Sequence, residues 1–509
     1  MMRPLDLAVP AQLMTALGPD LLLVAGAMLL LVWAAWRPPS TAHQRHVGFA
    51  SLALALATGL YVISSLYAQR TATEGPIAVD NFRWMADVVI LLGTVFAIAL
   101  TIDDNARLGL GTAESHVLIL FASAGMMLLA AAQDLMIVFL GVELMSLSVY
   151  ALAGINRRSA RGAEGALKYF LLGAFATAFL LYGMALVYGA TGSTNLTEIS
   201  ARIGELRLAH SPLLVIGVAL MLIGFGFKVA AVPFHMWAPD VYDGAPSPIT
   251  AYMAATVKAA AFAALLRVWM EAFPAAFDAW RPAVAGLAVA TMIVGNAVGL
   301  AQRNIKRMLA YSSIAHAGFL LVALAAGSGQ AGSALLFYLL AYTLATFGAF
   351  AVIIVLSRQD DRPVMIDDLA GLWGVRPWLA LGMGILMLSL LGFPVFGGAG
   401  FFAKWYVLQA ALQAPAPQVA LAVILVLTTV VSAGYYLSVV MVMFMKPRPD
   451  DAPAPGPTPG LTRAVLLVSV LAILVLGLVP DQLVGLARAG ALRATPVTVA
   501  PITARAPRP

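Results

Sequence analysis

The sequence contains no cysteine. That excludes a disulfide framework, thiolate-bound zinc, cysteine-ligated iron–sulfur clusters and a catalytic thiol. Charge is scarce too: 11% of the 509 residues are Asp, Glu, Lys or Arg, where a soluble domain carries about 25%. An ordinary soluble enzyme is therefore excluded. There is no P-loop, H-E-x-x-H or G-x-S-x-G signature, and the Gly-Phe-Gly-Phe at 224–227 has neither a strand before it nor a third glycine. Dinucleotide binding and hydrolytic chemistry lose their usual supports. Met1 to Pro19 lacks a basic segment followed by a small-residue cleavage site, so the first apolar run is expected to be a retained helix.

What the chain does have is apolar length. Hydrophobic residues make up 61%, and runs long enough to cross a hydrocarbon core of about 30 Å fall near 20–36, 47–67, 84–102, 114–131, 134–153, 163–190, 212–232, 249–270, 282–302, 309–327, 333–357, 377–412, 417–445 and 461–479. The fold class this implies is all-α, a polytopic membrane protein of about fourteen spans. Loops after odd-numbered spans hold fifteen Arg and Lys residues, among them Arg45, Arg157, Arg307 and Arg358. The opposite loops hold five, Arg70, Arg83, Arg202, Arg207 and Arg281, with Arg267 near a helix end. The positive-inside rule then places both termini on the periplasmic side of a bacterial inner membrane, and the net charge of +6 is a topology signal rather than a nucleic-acid footprint. Pro447 to Thr462 reads as a cytoplasmic linker, and the four arginines of the tail after Asp481 say little about orientation.

Two spans carry breaks. The seventh runs Gly224 to Lys228 and on to Pro233 and His235; the twelfth contains Pro394, Gly397, Gly398 and Gly400 before Lys404. Proline removes a backbone donor and clustered glycines loosen what remains. The breaks lie five spans apart, which suggests two five-helix repeats, spans 4–8 (residues 114–271) and 9–13 (272–446), flanked by residues 1–113 and 447–509. An odd number of spans per unit makes such a repeat inverted in the membrane.

The chain has six lysines against twenty-four arginines, and four of the six stand inside spans: Lys168, Lys228, Lys258 and Lys404. A lysine in low dielectric can release its proton, whereas arginine holds its own. Each intramembrane lysine costs about 2.5–3.5 kcal/mol on an insertion scale, so four indicate function. Glu143 is the one acidic residue near the middle of a span, nine residues past Asp134 or about 14 Å along the helix. Lys168 on the next span is its expected partner, with Glu164 four residues before Lys168 as a competitor. His235 and His316 stand in or beside spans and are either packed hydrogen-bonding residues or members of a proton relay.

These residues resemble a family. Phe227-Lys228-Val-Ala-Ala-Val-Pro233-Phe-His235-Met-Trp237-Ala-Pro239-Asp240 with Lys258 beyond it, Gly141-Val-Glu143-Leu, and Lys306-Arg307-Met-Leu-Ala-Tyr311-Ser312-Ser313-Ile-Ala-His316 look like the antiporter-like membrane subunits of respiratory NADH:quinone oxidoreductase (complex I) and their Mrp antiporter relatives. The likeness runs from about 114 to 410. It implies a proton translocase subunit: Glu143 and Lys168 a switching pair, Lys228 and Lys258 a central relay, Lys404 an exit-side site, and His235 and His316 connecting residues. Lys306 stands between Arg303 and Arg307 and reads as a loop residue. The resemblance also implies that this chain binds no cofactor. NADH, flavin, iron–sulfur clusters and quinone would belong to partner subunits, and the partners would be other antiporter-like and small membrane subunits within the lipid bilayer. A cation/proton antiporter subunit and a non-conducting membrane scaffold are the alternative readings.

Overall fold

The computed structural model describes residues 4–72, 75–357, 362–394, 397–449, 456–480 and 485. Arg358, Val395 and Phe396 of the twelfth-span break, residues 450–455 of the linker and the tail arginines lie outside the described residues. Twelve helices are long and apolar enough to cross a membrane, and Glu114–Ala130 and Pro377–Leu391 are shorter apolar helices. Together they occupy the fourteen apolar runs. No strand occurs among the described residues, only isolated bridges between loops.

Local chemistry sets the ends of the spans. Asp80, Asp134, Ser159 and Asn304 cap spans 3 (Asn81–Leu108), 5 (Leu135–Ala153), 6 (Ala160–Thr191) and 10 (Ile305–Ala326) by accepting from backbone N–H groups of the first turn. Gly109, Gly192 and Gly327 end spans 3, 6 and 10 in the left-handed conformation. Inside the bilayer, where apolar burial gives little preference for helix over lipid, close packing has to do the joining. Spans 9 (Phe277–Leu300) and 10 meet at Gly295 and Gly318, and a Cβ on Gly295 would lie 2.6 Å from the Ala315 backbone nitrogen.

Burial divides the spans into two classes. Span 8 (Ser247–Ala272) is wholly enclosed over its most apolar window, span 10 is 94% enclosed and span 11 (Ala331–Leu356) 89%, whereas the first span (Gly18–Trp36) is 22% enclosed and the last (Gly460–Leu478) 28%. The enclosed spans are the ones that carry Lys258 and His316. The last span packs against spans 3 and 11.

Both expected breaks are present. Span 7 is helical over Pro212–Val229 and stops at Ala230, whose φ of 57° is left-handed. The chain next forms a seven-residue helix, Ala238–Gly244, beyond the span. The freed backbone is satisfied locally: Val232 N donates to Thr291 Oγ1 at 3.0 Å and Ala231 N to Gly226 O at 2.8 Å. The twelfth run is two helices, Pro377–Leu391 and Ala399–Leu412, with Gly392 (φ 77°) and Gly398 (φ 49°) at the inner ends. A third distortion was not expected: span 8 contains a π-helical turn, Met253–Val257, immediately before Lys258.

Arg83, counted among loop charges, and Arg267, placed near a helix end, are both enclosed within the fold. Arg83 is in the first turn of span 3 at 0% exposure, and Arg267 is inside span 8 at 1%. Both face carboxyl groups, Arg83 those of Asp20 and Asp87, Arg267 those of Asp80 and Glu271.

Candidate functional site

Three of the four intramembrane lysines are enclosed: Lys228 at 3% exposure, Lys258 at 1% and Lys404 at 7%. Each finds oxygen partners. The Lys228 ammonium donates to Ser146 Oγ at 2.7 Å and Tyr150 Oη at 3.2 Å, and Ser146 in turn donates to Val142 O. Its cationic end lies 5.4 Å from the Tyr150 ring centre and 5.6 Å from that of Phe227. Glu143, Ser146 and Tyr150 are three and four residues apart, so they share one face of span 5, the face toward Lys228. Glu143 is within electrostatic reach of that lysine.

Lys258 is held by span 10, donating to Ser313 O at 2.6 Å and Ser313 Oγ at 2.5 Å. One turn further along span 10 stands His316, with Nδ1 at 2.5 Å from Tyr338 Oη and Nε2 at 3.0 Å from Tyr436 Oη. Tyr436 also bonds Ser312. Lys404 donates to Leu391 O at 2.8 Å and sits 4.7 Å from the Phe319 ring centre. A small cavity between the two halves of span 12 is lined by Lys404, His316, Tyr338, Tyr342 and Ser389, with about 10 Å³ open to a water centre, roughly the room one water needs. His316 lies within electrostatic reach of both Lys258 and Lys404. Lys258, Ser313, His316 and Lys404 thus form a line of polar groups in the enclosed middle of the chain, hydrogen-bonded at Lys258–Ser313 and at both His316 nitrogens but with no hydrogen bond among the described residues from Ser313 to His316 or from His316 to Lys404. No hydrogen bond among the described residues joins this line to Lys228.

Lys168 is placed differently. It pairs with Glu164 at 2.7 Å and with Asp240 at 2.9 Å, not with Glu143, and its side chain is 42% exposed. The reason is reach. Glu164 is one turn back on the same helix and Asp240 is presented by the short helix after the seventh-span break, so Lys168 extends toward the end of the membrane instead of its middle. Asp240 also binds Arg307 of span 10 at 2.8 Å. Burial opposes ionisation of Asp240, but Arg307 and Lys168 outweigh it and hold the carboxyl below its ordinary value. Lys306, expected in a loop, is 9% exposed and donates to Asp243 O at 3.0 Å and Ala245 O at 2.6 Å. His235 is partly buried in the seventh-span break.

Reading the sequence missed Ser146, Tyr150, Ser313, Tyr338, Tyr436 and Asp240. The first two were legible as hydroxyls on the Glu143 face. Tyr338 and Tyr436 were not, because nothing local says that spans 11 and 13 (Val419–Met445) turn a phenol toward span 10. His116, on the first turn of span 4, is also fully buried and bonded to Gln44 at 2.8 Å. Among the described residues no group of three or more His, Asp or Glu is placed to hold a metal ion.

The family profile described as "NADH:quinone oxidoreductase/Mrp antiporter, TM" matches residues 132–441. A protein of Gemmatimonas aurantiaca named NADH-quinone oxidoreductase subunit N is 52% identical over 505 residues, covering 97% of this chain and 96% of its own. One of the same name from Trichlorobacter lovleyi is 42% identical, covering 92% and 95%. Among solved structures, a chain of respiratory complex I from Thermus thermophilus with bound aureothin superposes with a TM-score of 0.79 at 38% identity, covering 93% of this chain and 100% of that one. A chain of the Mrp complex from a Dietzia species has the same fold, with a TM-score of 0.77 at 23% identity over 93% of this chain and 97% of that one.

Proposed function

Because the chain belongs to the NADH:quinone oxidoreductase/Mrp antiporter family of membrane subunits, we propose that it is the N-type proton-translocating subunit of a bacterial inner-membrane NADH:quinone oxidoreductase. Its neighbours would be the other antiporter-like and small membrane subunits. The observation that carries this reading is the run of enclosed lysines, each at a distorted point of a span: Lys228 before the seventh-span break, Lys258 after the π turn, Lys404 after the twelfth-span break. An ammonium there has only a few oxygens to hold its charge, so its protonation answers to small changes in those oxygens and in neighbouring charges.

The chain's own work is proton handling. NADH oxidation and quinone reduction, with flavin and iron–sulfur clusters, belong to partner subunits. Their conformational signal acts on the charges around Glu143, Lys168 and Asp240; a proton leaving Lys258 passes to Ser313 and His316, and from His316 through the small cavity to Lys404. The steps from Lys228 to Lys258 and from Ser313 to His316 need intervening water. Moving one charge against 100 mV requires about 2.3 kcal/mol, and a lysine whose proton affinity changes by about two pKa units supplies about 2.7 kcal/mol, so the magnitudes match. We assign Glu143, Lys228, Lys258, Lys404 and His316 to the relay, Lys168 to the charge network that biases it, and His235 to a connecting position at the break. Both termini are assigned to the periplasmic side.

The test is Lys258→Met in the assembled complex reconstituted into vesicles. Loss of proton uptake with assembly intact is expected; undiminished pumping would overturn the relay.

A further inference from the structure

Away from the lysines, the non-cytoplasmic ends of spans 1 and 3 enclose a second ionic centre. Arg83 is 0% exposed; Asp87, one turn on, is 0%; Asp20 of the first span is 7%. The guanidinium is largely committed elsewhere. Its Nη2 is 2.5 Å from Asp20 Oδ2, and its Nη1 donates to Ala16 O and Ala78 O, both at 3.2 Å. Asp87 is left with an approach of 3.4 Å from Arg83 Nε, and neither of its carboxyl oxygens receives a hydrogen bond from a described residue.

The charges do not balance. One guanidinium faces two carboxyls, and the other charged group within reach of Asp87 is Arg267. Arg267 is itself taken by Asp80 at 2.8 Å and Glu271 at 2.9 Å. That second cluster has the same two-to-one ratio, but its carboxylates are 37% and 22% exposed, which gives their charge an outlet to solvent. The Arg83 cluster has no such outlet. Two carboxyls sharing one enclosed site do not both ionise, and an uncompensated buried charge costs several kcal/mol.

We propose that Asp87 is a proton-binding site outside the lysine relay, occupied as a carboxylic acid beside the Asp20–Arg83 ion pair. Asp20 takes the ionised role because it has the short, direct contact with the guanidinium; Asp87 takes the neutral one because its contact is long and off the hydrogen-bonding direction. The proton lies on a carboxyl oxygen of Asp87, and it leaves only if Asp20 is neutralised or Arg83 is freed to turn toward Asp87.

The test is infrared difference spectroscopy of the intact purified complex, comparing wild type with Asp87→Asn and Asp20→Asn at neutral pH in light and heavy water. Wild type should show the carbonyl stretch of a protonated carboxyl, shifted in heavy water, and Asp87→Asn should lose it. Asp20→Asn should lose it as well, because Arg83 then has a single anion and Asp87 ionises to become that anion. Each single variant should assemble at wild-type yield, and the double variant should lose more yield than the two singles combined, since it strands Arg83. The proposal is overturned by a protonated-carboxyl band that persists in either single variant or is absent from wild type, as it would be with an ionised Asp87 held by water or a monovalent cation. Failure of Asp87→Asn to assemble while Asp20→Asn assembles also overturns it, by making Asp87 an obligate anion.

Discussion

Lys228 and Lys404 hold the same rank in their five-helix units, in the fourth span of each, yet the chain delivers them to their places by different routes. Lys228 lies before its break, in the last turn of Pro212–Val229. Lys404 lies after its break, in the second turn of Ala399–Leu412, and reaches back to the carbonyl of Leu391, the last residue of the preceding half-helix. The backbone of Lys228 and the ammonium of Lys404 therefore both lie at the carboxyl end of a half-helix. There the unpaired carbonyls carry the negative end of the helix dipole. The shared feature is the electrostatic position, not the sequence position, and a break is what creates a helix end in the middle of a membrane.

The largest effect should come from removing the cations. Lys228→Met and Lys404→Met are each expected to lower proton pumping at least about tenfold, on the scale of losing a proton-transfer group, measured as acidification of reconstituted vesicles with assembly checked by native gel. Arginine at either position should restore the charge without restoring transfer. Equal losses would support treating the two lysines as counterparts; a loss at one position alone would break the comparison.

The breaks can be tested apart from the lysines. Ala230 adopts a left-handed conformation at φ 57° and Gly392 one at φ 77°, a region that costs a residue with a Cβ about 1–2 kcal/mol. Ala230→Gly should therefore raise thermal stability by up to about 1 kcal/mol. Gly392→Ala should lower it by a similar amount. A Cβ there would also lie 2.9 Å from Lys404 Cδ, so this variant should reduce pumping as well, while Ala230→Gly leaves it near normal. A Gly392→Ala complex with unchanged stability and pumping would show that the twelfth-span break does not position its lysine.

How much of this was legible in the sequence depends on what each signal requires. The fourteen spans, both breaks and the four intramembrane lysines were readable because apolar length, Pro–Gly clusters and rare charges are local. The π turn before Lys258 was not, since Met253–Val257 is an ordinary apolar stretch whose distortion comes from packing on its neighbours. The partner of Lys168 was left between Glu143 and Glu164 because spacing alone does not say which way a long side chain leans; it leans back one turn to Glu164 and across to Asp240. Arg83 was read as a loop charge and Arg267 as a residue near a helix end because they stand at the edges of apolar runs; that Asp20 and Asp80 neutralise them is a property of the assembled fold.

A smaller effect separates the two lysines by partner type. Lys228 is held by hydroxyls, which mutation can remove one at a time, whereas Lys404 is held by a backbone carbonyl. Tyr150→Phe deletes the contact at 3.2 Å and keeps the ring beneath the ammonium, a loss of about 0.5–1.5 kcal/mol. Pumping should fall a few-fold, less than for Lys228→Met, with the larger share lost if Ser146→Ala is added. Full activity in the double variant would mean that Lys228 does not depend on the face it shares with Glu143.

The smallest effect lies where the two units touch outside the spans. Asp240 bridges Lys168 of span 6 at 2.9 Å and Arg307 of span 10 at 2.8 Å, so Asp240→Asn removes a tie between the units. With the carboxylate 39% exposed, solvent screening limits its value to about 1 kcal/mol or less. The pH dependence has a definite sign. The carboxyl is held below its ordinary value of 3.8, so its contribution is complete above that value and is lost as the pH falls through the depressed one. The thermal stabilities of wild type and Asp240→Asn, followed from neutral pH downwards, should run parallel until the ordinary carboxylate range is reached and converge only below it, with a smaller gap at high salt. A gap that closes near neutrality would place the titrating group elsewhere, and Asp240 would then be a packing contact rather than a charged link between the units.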